Sequence, residues 1–225
     1  MLIVRVASSA AEYAAEIMLA LSLFRIPFNY IKIVTIAIVM AALSHYFRAV
    51  PDLTSFLTIT TLLIEIVLLG ILFNLPILYS LLIAILGFLA ASILEYAVIY
   101  FSVELNFAKI EDIEINPLIS SVVILTTACI ILVFTYFFQT RKIGFMFMPS
   151  IFTMKQAVRG YNFGLSAVLI VSIAILQISS TIYIKFSVYG IILGSMALLF
   201  LIAIYIAYKH NKKLINEKYE RLSKK

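Results

Sequence analysis

The chain has no tryptophan, one cysteine and only 12% charged residues across 225 positions. A single cysteine, Cys129, excludes an internal disulfide and a thiolate metal cluster. Its neighbours Thr126, Thr127, Ile130 and Ile131 give it the character of a small apolar filler inside a helix. Two histidines leave no paired metal motif, and neither a phosphate-cradling glycine loop nor a strand-and-glycine nucleotide arrangement occurs. The scarcity of charge, set against 64% hydrophobic residues and a mean hydropathy of +1.13, leaves too little polar surface for a soluble globule.

What is present is a succession of apolar runs. A spanning helix needs about 20 apolar residues, because backbone amides in lipid must pair within their own segment. Seven such segments are expected: Val6 to Phe24, Ile33 to Phe47, Ser55 to Phe73, Pro76 to Val103, Pro117 to Phe138, Asn162 to Tyr183 and Ser187 to Tyr208. The predicted fold is all-α, a polytopic transmembrane bundle over residues 1–208 followed by a basic cytoplasmic tail helix over 209–225. Runs such as Leu75 to Val103 are apolar on both faces, which excludes the alternation of a transmembrane barrel. Glu12 and Glu16 interrupt what would be the apolar region of a secretory signal, so the first segment is expected to be retained.

Lysine and arginine in the connections predict orientation. Arg25 and Lys32, then Arg141, Lys142, Lys155 and Arg159, and then the tail fall on one side of a seven-span chain. This places the carboxyl terminus in the cytoplasm and the amino terminus outside, in the plasma membrane. The alternative is six spans, with the glutamate-bearing first segment lying along the membrane surface. The net charge of +6 is spread over loops and tail, which fits attraction to anionic lipid better than to nucleic acid.

An ionised carboxylate at the bilayer centre costs at least ~2.5 to 3.5 kcal/mol, so it is rarely placed without a partner or a polar cavity. Glu12, Glu16, Glu65 and Glu95 fall within the spans. Glu12 and Glu16 share a helix face, as do Thr61 and Glu65, and Gly87, Ala91 and Glu95 recur at intervals of four. Small residues admit a neighbouring helix closely, so Gly87 and Ala91 are expected to bury Glu95 at a helix contact. Arg5 and Arg48, near outer helix ends, are candidates to neutralise part of the group. Glu12, Glu16, Glu65, Glu95 and Arg48 thus form a candidate ligand site: an outward-facing cavity among helices one to four, suited to the basic end of a small extracellular ligand. The bland alternative is that these carboxyls are protonated, hydrogen-bonded helix glue. Gly190 and Gly194 have close-packing spacing in the last segment, used within a bundle or in a homodimer.

His45 and Cys129 are assigned to different helices at opposite depths, which argues against a cysteine peptidase. No cofactor or metal is expected. Internal repeats and glycine- or proline-broken helices, the marks of many transporters, are not evident.

Four stretches then carry a resemblance: LSLFRIPFN at 21–29, ALSHYFR at 42–48, NLPILY at 74–79 and KIGFMFMP at 142–149. In this order, with an acidic loop after the fourth segment, they resemble the amino-terminal multi-helix sensor region of Gram-positive sensor histidine kinases of the accessory-gene-regulator type. The resemblance implies a receptor module that takes up an extracellular peptide or small amphiphile and passes a displacement through its last helix to a cytoplasmic helical dimer or a separate kinase subunit. Ile215 and Leu222, one heptad apart, fit such a contact. The phosphoacceptor region and ATP-binding lobe of that family are not among these residues, so the chain is expected to be non-enzymatic. The alternatives are a small secondary transporter or permease component, with Glu65 and Glu95 as cation sites, and a structural membrane assembly subunit.

Overall fold

The computed structural model describes residues 2–50, 56–141, 171, 191, 194–202, 205 and 209. The described chain forms α1 (Leu2–Leu23), α2 (Tyr30–Ala49), α3 (Leu57–Phe73), α4 (Ile77–Glu104), α5 (Ile110–Ile115) and α6 (Pro117–Thr140), with 194–202 also helical. Among the described residues there is no strand. α1, α2, α4 and α6 are long and apolar enough to cross a membrane, whereas α3 has 17 residues and a length of about 26 Å. The sixth expected segment apart from Val171, half of the seventh and the expected tail helix beyond Lys209 lie outside the described residues.

Local signals set the helix ends. Asn29 and Asn116 cap α2 and α6, their side-chain oxygens accepting from the Lys32 and Leu118 amides at 3.3 and 3.0 Å. Pro117 opens α6 at a position where an amide proton has no helical partner. Asn74 closes α3 at φ 54°, a left-handed conformation that asparagine tolerates. Lys32 reaches across from α2, donating to the Leu72 carbonyl and lying 5.4 Å from the Phe73 ring centroid. A cation is thereby held at the carbonyl end of α3.

α1 is an interior helix, in contact with α2, α4 and α6, while α4 also meets α3 and α6. Ile17, Leu19, Ala20 and Leu21 are buried against a core that includes Ile83, Leu86, Leu69 and Ile131. A first segment lying apart along a surface is therefore not what the chain adopts. Gly87 makes the α1–α4 contact close: a methyl group added there collides with the Ala20 methyl.

The helix faces are inverted relative to those of a water-soluble protein. On α3, Thr61 and Glu65 point inward with Leu62 and Ile66, while Leu63, Val67 and Ile71 are exposed. On α6, Ser120, Ser121, Thr127 and Thr135 are buried, and Val122, Leu125, Leu132 and Val133 face out. Apolar surface this continuous calls for lipid as its solvent. Thr126, on the outer face, donates its hydroxyl to the Val122 carbonyl one turn back at 2.8 Å and so leaves no open donor to lipid. The protein is a helical membrane bundle.

Two expectations are corrected. The acidic connection after α4 is not simply a loop, since six of its residues form α5 against α6. Cys129 lies in α6 but is exposed instead of buried, because α6 turns its small hydroxyl residues inward and leaves this position on the outer face.

Candidate functional site

A partly polar cavity of about 230 Å³ has walls drawn from α1, α2, α3 and α4. Each helix contributes one face. α1 gives Glu12, Tyr13 and Glu16; α2 gives Arg48 from its last turn; α3 gives Leu57, Thr58 and Thr61 from its first turns; α4 gives Phe88, Ala91, Ser92, Glu95 and Tyr96. The α4 residues fall at offsets of three and four along the chain, as one face of a helix requires. α1 and α6 begin at the same end of the bundle, where the Ser8 hydroxyl lies 3.5 Å from that of Ser121. The cavity lies toward that end, beside the middle of α1.

Of the five residues assigned to the site from sequence, Glu12, Glu16, Glu95 and Arg48 line this cavity. Glu65 does not. It lies one turn beyond Thr61 on α3, 1% exposed, within electrostatic reach of Glu16. Arg5 is absent from the walls, and its Nε is buried without a hydrogen-bond partner. Among the helix-packing residues, Gly87 abuts Ala20 and Ala91 forms cavity wall. Gly194 has open space around its Cα, and Gly190 lies outside the described residues. His45 is half-buried near the end of α2, beside exposed Tyr46.

The charges are unequally distributed. Three carboxyl groups and one guanidinium line the cavity. Arg48 acts on both Glu12 and Glu95, although on Glu12 the neighbouring Glu95 and Glu16 act more strongly. Glu16 faces Glu65 and Glu95, like charges when ionised. It is 4% exposed, and its Oε1 has no hydrogen-bond partner. Both carboxylate oxygens of Glu65 also lack partners. A buried polar group without a partner costs about 1 to 3 kcal/mol, more if charged. The helix-glue reading requires hydrogen bonds that Glu65 does not make. Tyr13, by contrast, is fixed by a hydrogen bond with Ser44 of α2.

Three aromatic rings in the walls, Tyr13, Phe88 and Tyr96, were not anticipated from sequence. The signal was available: Phe88, Ser92, Glu95 and Tyr96 continue the same helical face as Gly87 and Ala91, and Tyr13 follows Glu12. Phe88 and Tyr96 also pack against Leu89 and Met196, with Phe200 beside them. The stretch 194–202 thus meets α4 at the Leu89–Met196 cluster, on which two of the cavity's wall residues also pack. Among the described residues no three His, Cys, Asp or Glu side chains come close enough to share a metal ion. The chain matches no protein family, no curated protein and no solved structure.

Proposed function

We propose that the chain is a non-enzymatic sensor module of the plasma membrane, with its amino terminus outside, its carboxyl terminus in the cytoplasm and seven spans. In this reading the α1–α4 cavity opens outward and takes an extracellular peptide or small amphiphile, and the last helix relays occupancy to a cytoplasmic partner. One observation carries it: Phe88 and Tyr96, in the cavity wall, also pack on the Leu89–Met196 cluster where α4 meets the stretch 194–202. A ligand that moves those rings changes what the last helix packs on, and so biases one arrangement over another. A differential affinity of about 1.4 kcal/mol shifts that balance tenfold. The resemblance to histidine-kinase sensor regions supports the same division into cavity and output helix.

The test attaches a ligand mimic directly. In a Cys129→Ser background, a Ser92→Cys thiol is labelled from outside with a trimethylammonium-bearing methanethiosulfonate, and the activity of a reporter kinase fused after Lys225 is followed. Labelling from outside that changes kinase output is expected. Labelling only from the cytoplasmic side, or full labelling with unchanged output, refutes the proposal.

A second reading, cation-coupled transport, draws on Glu65, which lies behind Glu16 deeper in the bundle. Gradient-dependent uptake in proteoliposomes, abolished by Glu65→Gln, would distinguish it.

A further inference from the structure

Resting on the cavity's role as a ligand site, we infer that its inner end, at Glu16 with Glu65 behind it, is a subsite for the protonated amine of a ligand. The cavity has two tiers. In the outer one Arg48 already serves Glu12 and Glu95. In the inner one no cationic side chain among the described residues acts on Glu16 or Glu65. Glu16 lines the cavity, and its Oε1, tucked behind the cavity surface, has no hydrogen-bond partner. The missing complement is therefore one positive charge carrying hydrogen-bond donors.

The surroundings select the kind of cation. A bare metal ion needs several oxygens converging within about 2.0 to 2.6 Å of it, and the acidic side chains are too dispersed to provide that set. An ammonium group carries three N–H donors and attracts carboxylates from farther apart. Its alkyl stem finds apolar company in Phe88 and Ala91, and rings such as Tyr13 offer the negative face that a cation favours. A cavity of about 230 Å³ has room for such a head and stem. This matches a small amine or a single lysine-like side chain.

The full chain in lipid nanodiscs is titrated calorimetrically with 1,4-diaminobutane, and separately with a lysine-containing tripeptide and its side-chain-acetylated form. The two arms present the same chemistry as a free amine and as part of a peptide. Saturable binding of either amine is expected, with none for the acetylated peptide. Glu16→Gln should weaken binding at least tenfold, Glu65→Gln should weaken it less because Glu65 acts through Glu16, and Glu104→Gln, outside the cavity, should leave it unchanged. If Glu16→Gln yields no folded protein, protection of the Ser92→Cys thiol from labelling by 1,4-diaminobutane is measured instead. Amine binding unaffected by Glu16→Gln, equal binding of n-butanol, equal competition by sodium ions, or no protection of the thiol overturns the inference. These outcomes are separable from failure of the sensor reading, which shows as cytoplasmic-side labelling or an unresponsive reporter while amine binding persists.

Discussion

Replacing Gly87 by alanine tests the contact on which the bundle is organised. The added methyl meets the Ala20 methyl head-on, with the Ala20 Cα only 3.2 Å away and its amide nitrogen at 3.7 Å. These neighbours cannot swing aside, because one is a side chain without rotamers and the others are backbone. Inserting a methyl into a packed interior costs about 1 to 3 kcal/mol, and the better helix propensity of alanine returns up to about 1 kcal/mol. A net loss near 2 kcal/mol lowers the folded-to-unfolded ratio roughly 30-fold. Unfolding in bicelles titrated with a denaturing detergent measures it, with Ala20→Gly as companion. The double variant should recover at least half of the loss, since the same space is vacated from the other side. Gly70→Ala is the control: its new methyl meets Ser80 Oγ at 3.4 Å and the Leu75 carbonyl at 3.6 Å, ordinary contacts, so stability should hold or rise slightly. A neutral Gly87→Ala, or losses that simply add in the double variant, would refute the close α1–α4 approach.

Asn116→Ala removes the α6 cap and should cost about 0.5 to 2 kcal/mol, seen as faster amide exchange in the first turn of α6. Lys32→Met deletes both the donor to the Leu72 carbonyl and the charge over Phe73; a loss of about 1 to 2 kcal/mol is expected in the same unfolding assay. Cys129, on the outward face of α6, should react with an uncharged membrane-permeant maleimide and resist a charged one. Rapid labelling by the charged reagent in intact vesicles would contradict a lipid-facing position.

Helix positions could be read closely from the apolar runs, because a segment in lipid must satisfy its amides internally and so advertises its length. The four-residue spacings likewise brought Glu12, Glu16, Ala91 and Glu95 to one cavity. The same spacing did not say how deep each residue sits. Glu65 shares a face with Thr61, yet only Thr61 reaches the cavity, since α3 enters the wall with its first turns. Arg5 and Arg48 look equivalent as cations near helix ends, but only Arg48 lines the cavity and acts on its acids. The burial preference of free cysteine failed at Cys129 because it reflects water-soluble proteins, whereas the outer face of α6 is itself apolar, with Val122, Leu125, Leu132 and Val133 exposed. α5 escaped notice because six residues carry too little periodicity to reveal a helix.

The meeting of Glu16 with Glu65 has a consequence for how the chain enters the bilayer. Each carboxyl belongs to a helix made while the other is still distant along the chain: α1 emerges first, and α3 follows only after α2. A solitary α1 released into lipid would carry two acidic groups with no shelter, and α3 alone would carry one. The burial of both acids is thus complete only once α3 and α4 have joined α1 in the bundle.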